Sequence, residues 1–323
     1  LAAAGMLAIG RADTPALLFA SFTLFAVGFS CTSLIPGTTL VARWFSRRRA
    51  IALSVASSGL SVGGIALTPF AAALIDKLGL ARATPWLAMI YVLGVIPVAA
   101  FFLRKSPESM GLEPDGVQTA STGSKIHLAG TTFSGALRSR FFIFCTVAFV
   151  FILMAQVGGL AHQFNLVAER INTTIAATAV ASLAGASLIG RFIGGWAISR
   201  FSIRPVTLVL IFVQASSLFA IAFADTTFAL LAASIVLGLA LGNLLMALPL
   251  LLADAFGMRD YGRIYATSQA IAQMGVAIGP ALVGFLYGAW NGYTVAIIAT
   301  SCLALAGAVA FLMAGPVPSP AQN

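Results

Sequence analysis

The stretch Ile175–Ser199 reads IAATAVASLAGASLIGRFIGGWAIS. Apart from Arg191 it contains only Ala, Leu, Ile, Val, Phe, Gly, Ser, Thr and one Trp. A helix rises 1.5 Å per residue, so about 20 apolar residues cross the hydrocarbon core of a bilayer. The run is therefore read as a membrane-spanning helix, with Arg191 as a charge held inside it. A guanidinium stays protonated in proteins. At the middle of a spanning helix it costs about 2.5–3.5 kcal/mol on insertion scales. Such a charge is kept where it faces a water-filled pathway, a buried partner or an anionic ligand.

Composition extends this reading to the whole chain. Of its 323 residues, 60% are hydrophobic and only 8% charged, whereas soluble domains carry about 25% charged residues. The class is an all-α polytopic membrane protein. A net charge of +9 would suit nucleic acid if it were clustered. Here the basic residues lie at helix ends in short loops, so no nucleic-acid partner is expected. Cys31, Cys145 and Cys302 all fall in apolar runs without metal-ligand spacing, and are read as packing residues. No metal, no cofactor and no catalytic cluster is expected.

Nine apolar runs reach spanning length. They are Pro15–Ala42, Ala50–Ile75, Pro85–Leu103, Phe141–His162, Thr173–Ser199, Val206–Ala224, Thr227–Ala253, Ile264–Tyr287 and Tyr293–Ala314. Leu1–Ile9 is apolar but too short to span, and is read as the end of a helix whose beginning is missing. The polar stretches between runs alternate in charge. Of the 18 Lys and Arg, 13 fall on one side, four on the other (Arg11, Lys77, Arg82, Arg170), and Arg191 inside a span. The positive-inside rule makes the first side cytoplasmic. The loop 104–139 is long, polar and cytoplasmic on this count. The expected organisation is a partial N-terminal transmembrane bundle over 1–103, that central loop, a six-helix bundle over 140–314 and a cytoplasmic tail over 315–323.

Small residues recur four apart within spans: Gly59 and Gly63, Gly190 and Gly194, Gly238 and Gly242, Gly275 and Gly279. This spacing lets helices approach closely in lipid. Pro36, Pro69, Pro97, Pro249 and Pro280 interrupt spans, where they can kink or open a helix.

Several stretches together resemble the major facilitator superfamily, and within it the branch of monocarboxylate transporters and oxalate/formate-type antiporters. Arg43-Trp44-Phe45-Ser46-Arg47-Arg48-Arg49 with Ala50-Ile51-Ala52 looks like that branch's link between its fourth and fifth helices. Ser58-Gly59-Leu60-Ser61-Val62-Gly63-Gly64 continues it. Pro107-Glu108-Ser109-Met110-Gly111-Leu112 and Pro114-Asp115-Gly116 resemble the start of its central loop. Phe256-Gly257-Met258-Arg259, Gly262-Arg263-Ile264-Tyr265 and Gly279-Pro280 resemble its tenth-to-eleventh helix region. The resemblance implies two helical bundles, the N-terminal one incomplete here, with a substrate site between them near the midplane. It makes Leu1–Ile9 the end of the third helix.

Arg191 lies about four residues past the centre of its span, roughly 6 Å toward the cytoplasm. It can snorkel to the headgroups, or face a cavity and grip a carboxylate with its planar fork. Related carboxylate transporters carry an Arg in this helix, and Gly190-Arg191 resembles its setting. None of the nine Asp and Glu falls near the centre of a span, so no internal counter-ion is evident. Proton-coupled relatives carry an Asp one turn earlier, where this chain has Ser187. Oxalate-type relatives carry a Lys in the eleventh helix, where Ala272 and Gln273 stand. Both departures favour a single-cation site for one carboxylate.

Tyr265, Gln269 and Gln273 share one helix face at i, i+4, i+8, and either bridge helices or line water. Asn243 and Gln156 are single polar residues that suit interhelical hydrogen bonds or the site. His162 closes its span on the outer side and suits a structural contact or a gate. With Arg191 these six complete the candidate substrate-binding set. The loop signature resembled by Gly190–Arg204 expects an Asp where Ser199 stands.

The expected function is secondary active transport of a small organic anion, a monocarboxylate, by alternating access. The expected location is the inner membrane of a bacterium. The bilayer and the anion are the expected partners, with protons or a counter-anion left open as the coupling ion. The rivals are a facilitator-type exporter or neutral-solute transporter with Arg191 structural, and, remotely, a membrane-embedded enzyme. An enzyme would need clustered His, acids or metal ligands; the two His (His127 and His162) lie on opposite sides.

Overall fold

The computed structural model of the protein describes residues 1–32, 34–45, 47–104, 106–110, 112 and 130–318. Most of the loop 104–139, with Lys125, His127 and the Pro114-Asp115-Gly116 motif, lies outside them, as does the end of the tail 315–323. The described residues are helical almost throughout, and no strand occurs among them.

The helices are α1 (Ala2–Ile9), α2 (Pro15–Ser30), α3 (Leu34–Trp44), α4 (Arg49–Leu78), α5 (Leu80–Pro97), α6 (Phe133–Leu137), α7 (Arg140–Arg170), α8 (Thr173–Arg200), α9 (Ile203–Phe223), α10 (Thr227–Phe256), α11 (Tyr261–Trp290) and α12 (Tyr293–Ala314). Eight of the described helices, α4, α5 with its continuation, and α7 to α12, are long and apolar enough to cross a membrane. Their starts follow local chemistry. Ser139, Asn172 and Thr226 cap α7, α8 and α10 by accepting from the N–H groups of Phe142, Ile175 and Ala229, which satisfies donors the helix cannot.

The run Pro15–Ala42 is not one helix. It breaks between Ser30 and Leu34. Thr32 turns its N–H and hydroxyl back to the Phe29 carbonyl, ending α2. Pro36 follows, lacking an N–H and crowding the carbonyl four residues earlier. The prolines further on behave differently. Pro249 and Pro280 sit inside α10 and α11, which continue past them. Pro97 is followed by a π-helical turn, Val98–Phe102.

The chain divides into two compact units. The first comprises residues 1–47 and 62–122. In it α1 packs on α2 and α5, Thr32 and Tyr91 share a short hydroxyl–hydroxyl hydrogen bond, and Trp44 Nε1 donates to the Arg104 carbonyl at 3.2 Å.

The second unit comprises residues 48–61 and 123–323, so the first turns of α4 belong to it. α7 packs along α11 and α12, α10 along α8 and α9, and α9 along α12. Its core holds Phe149, Ile152, Leu166, Leu218, Leu237 and Phe311, all buried. The outward faces stay apolar: Phe228 is 82% and Phe285 72% exposed. Apolar side chains turned outward on a helical bundle suit contact with lipid rather than water. Gly257 caps α10 with φ 69°, a left-handed value that glycine adopts without strain.

Candidate functional site around Arg191

Arg191 is 2% exposed, the one charged side chain buried among the described residues. Three helices position it. α8 carries it on the face turned to α10, where Gly242 leaves room for its stem. A Cβ on Gly242 would lie 2.7 Å from Arg191 Cγ. α4 supplies the acceptor: Arg191 Nη1 donates to the Ser57 carbonyl at 2.5 Å. Ser57 is eight residues into α4, roughly 12 Å from its Arg49 end. The guanidinium therefore stays at depth and does not reach a helix end. Its Nε has no hydrogen-bond partner. Among the described residues no carboxylate pairs with it; Arg49 and Asp254, 3.9 Å apart, form an ion pair elsewhere in this unit.

Ser187 stands one turn before Arg191, also buried, and its hydroxyl is without a partner. Ser57 turns its hydroxyl toward Met246 Sδ at 2.8 Å. Asn243 donates from Nδ2 to the Gly190 carbonyl at 2.6 Å and the Leu239 carbonyl at 3.0 Å. Its amide thereby joins α10 to α8 beside Arg191. A methyl at Gly194 would collide with that amide. Gln156, on α7, sends Nε2 to the Leu241 carbonyl at 3.5 Å, and its buried Oε1 has no partner. Arg191, Asn243 and Gln156 thus converge on the segment 241–243 of α10.

The other expected residues lie apart from that convergence. On α11, Gln269 Nε2 donates to Gln273 Oε1 at 3.4 Å. Gln269 is buried and Gln273 exposed. Tyr265, on the same face, is fully buried and stacks on Tyr261, with ring centroids 5.8 Å apart. His162 is half-buried against α11 and α12. Its Nε2 lies 3.0 Å from the Pro280 carbonyl and its ring beside Tyr293. Sequence reasoning did not single out Ser57, nor the bond from Gln163 Nε2 to Ser234 Oγ at 2.7 Å. Nor did it single out Gln214, whose Nε2 donates to the Ile152 carbonyl at 3.0 Å. Among the described residues no group of three or more His, Cys, Asp or Glu could hold a metal ion.

A set of long apolar helices around one buried cation is a membrane architecture, and the family follows from sequence. The family model of the Major Facilitator Superfamily matches residues 140–323, more than half of the chain. The chain belongs to this superfamily. It is an integral, multi-pass membrane protein of a transporter family. MFS transporter asaE of Aspergillus flavus is 25% identical over 277 residues, covering 84% of this chain and 59% of the relative. MFS-type transporter hasB of Aspergillus fumigatus is 31% identical over 87 residues, 27% of this chain and 18% of the relative. The chain thus spans well under two thirds of either curated relative's length.

Solved structures agree on fold. The E. coli fucose:proton symporter FucP superposes with a TM-score of 0.71 at 19% identity, covering 98% of this chain and 81% of FucP. The human organic anion transporter TETRAN gives a TM-score of 0.71 at 15% identity, covering 96% and 74%.

Proposed function

We propose that this superfamily member carries a small organic anion, a monocarboxylate, by alternating access, and that Arg191 holds the carboxylate. One observation carries the reading: a guanidinium buried at depth, with a neutral backbone carbonyl for a partner and no acid beside it among the described residues. A buried charge without a counter-ion is costly. A carboxylate offers two oxygens to the planar fork and a charge-assisted bond about twice as strong as a neutral one. It would therefore displace the Ser57 carbonyl. Asn243 and Gln156 hold the α10 wall beside the cation. Gln269 and Gln273 give α11 polar groups that would meet a longer substrate, while Tyr265, fully buried against Tyr261, fixes that face of the helix. His162 fixes the outer end of α7 on α11. Alternating access would then expose the bound anion to each side in turn.

That no acid stands beside Arg191 among the described residues favours exchange against another anion over proton symport. One structural neighbour is an organic anion transporter and another a fucose:proton symporter. The curated relatives are fungal, and a bacterial inner membrane rests on no residue of the chain. The proposal keeps a multi-pass membrane location with the arginine-rich helix ends in the cytoplasm.

The test is uptake of radiolabelled lactate, pyruvate, formate and oxalate by cells expressing the wild type or Arg191→Ala. Uptake of a monocarboxylate that the variant loses supports the reading. Carboxylate uptake unchanged in Arg191→Ala sinks it, and leaves a neutral-solute transporter or exporter with a structural arginine.

A further inference from the structure

We propose that the groove bounded by α8, α9 and α10 seats an anionic phospholipid of the cytoplasmic leaflet, with an acyl chain in the groove and the phosphate at Arg200 and Arg204. The groove is a cavity of about 650 Å³. It runs along α8 from Gly190 to Phe201, roughly 16 Å at 1.5 Å per residue, from the middle of the helix to its end. Its wall is almost wholly apolar. The polar residue at its deep end, Asn243, has already spent its NH2 group on the carbonyls of Gly190 and Leu239.

Where the groove opens decides what enters it. Ile193, Phe201 and Val209 line it and are themselves 54%, 61% and 60% exposed. On a membrane-spanning bundle such outward apolar side chains meet hydrocarbon, so the groove opens sideways to lipid. Along this wall a polar solute would find one unmatched side-chain acceptor, Asn243 Oδ1 at the deep end, and apolar surface elsewhere. A methylene chain loses nothing there and gains close contacts.

The mouth adds charge. Phe201 and Pro205 line its end, and Arg200 and Arg204 adjoin them in sequence. Neither arginine is in an ion pair among the described residues. Arg204 Nε is buried without a hydrogen-bond partner. Ser199, the polar residue beside them, donates its hydroxyl back to Trp196 of its own helix. Two unspent guanidinium groups at headgroup level call for anionic oxygen acceptors, and a phosphodiester supplies them with matching geometry. The positive-inside rule puts this end in the cytoplasm, whose leaflet carries the anionic lipids. A cation at the surface and an apolar groove beneath it are the two halves of one phospholipid.

Native mass spectrometry of the full chain, released from detergent with equal amounts of phosphatidylglycerol or phosphatidylcholine of the same chain length, tests this. The wild type should retain phosphatidylglycerol several-fold more than phosphatidylcholine. An Arg200→Gln, Arg204→Gln double variant should lose that preference, and an Arg200→Lys, Arg204→Lys variant, which keeps the charge without the planar fork, should keep part of it. Val209→Trp, which fills the groove and spares both arginines, should lower retention of both lipids several-fold. Equal retention of the two lipids by the wild type overturns the proposal, as does retention indifferent to the Gln and Trp variants. Glycerol phosphate added in excess should not displace the lipid; displacement by this headgroup alone overturns the seating of the chain.

Discussion

Arg191 of α8 rests its guanidinium on the backbone carbonyl of Ser57 in α4, 2.5 Å away, while the Ser57 hydroxyl turns to Met246. The contact joins two helices through a neutral acceptor that already belongs to a helix ladder. It partly solvates the cation without neutralising it.

Arg191→Met should therefore stabilise the protein while abolishing anion transport. Methionine is two atoms shorter but unbranched, fills irregular gaps and carries no charge. Replacing even a paired buried charge by apolar groups of similar volume is often neutral or stabilising by about 1–4 kcal/mol, and Arg191 has no such pair to lose among the described residues. Each kcal/mol raises the melting midpoint by roughly 2–4 °C in a unit of this size. Thermal unfolding in detergent, followed by tryptophan fluorescence, reads the stability. A fall in midpoint would make the guanidinium a structural strut and count against a vacant anion site.

The close approach of α8 and α10 makes a second prediction, in two glycines of one helix. A methyl at Gly194 would meet the Asn243 amide and force α10 away or break its bonds to α8, whereas one at Gly185 meets nothing within 4 Å. Gly194→Ala should lower stability by about 1–3 kcal/mol, the usual cost of overpacking. Gly185→Ala should raise it by about 0.5–1 kcal/mol, since alanine loses less entropy in a helix. Equal melting midpoints for the two variants would contradict the packing described.

Arg170 should matter more for stability than its position at a helix end suggests. It closes α7 and donates to three carbonyls at the end of α9, those of Ile221, Ala222 and Ala224, and to Thr294 of α12, all at 2.8–3.1 Å. The last carbonyls of a helix have no partner within it and carry the negative end of its dipole. Arg170→Ala should cost about 2 kcal/mol, as for hydrogen bonds to a charged group. Arg170→Lys should recover only part, because an ammonium cannot span a fork's width. Full recovery by lysine would reduce the contact to simple charge.

Much of this architecture was legible because hydropathy alone dictates it. The long spans from Arg140 onward follow from apolar runs, and a charge inside one of them was plain from Arg191 itself, though not whether it snorkels or stays buried. The acceptor that meets it was not, because a backbone carbonyl leaves no mark on the sequence: any residue at position 57 offers one. The break after Ser30 was also hidden. Cys31, Thr32 and Ser33 are neutral enough to pass for helix, and the ending depends on Thr32 folding back to Phe29. The reverse holds at Pro249 and Pro280, where a breaker in the sequence sits within a continuous helix, held by neighbours on both sides. Both proline carbonyls accept or share a side-chain hydrogen bond, Pro249 from Tyr261 and Pro280 with His162. Such bonds depend on which helices adjoin, and that is decided by packing across the whole unit.

Ser187 offers the sharpest test of the single-cation site. Its buried hydroxyl is without a partner and lies one turn before Arg191, the spacing at which helical side chains meet. Ser187→Asp would place a carboxylate beside the guanidinium. When ionised it pairs with Arg191 and competes with a substrate carboxylate. When protonated it releases the cation and supplies a neutral donor. Uptake of a monocarboxylate by the variant should therefore fall several-fold as pH rises and recover as pH falls, with the proton now bound along with the substrate. The wild type has no acid there and should show a much flatter profile over the same range, corrected for ionisation of the substrate itself. Transport assayed in proteoliposomes with the outer pH stepped between about 5 and 8 separates the two. A wild-type profile as steep as the variant's would mean that another group titrates against Arg191 and would overturn the single-cation site. A variant inactive at every pH would mean instead that the introduced acid never leaves the arginine, and Ser187→Asn, isosteric and uncharged, should then restore uptake.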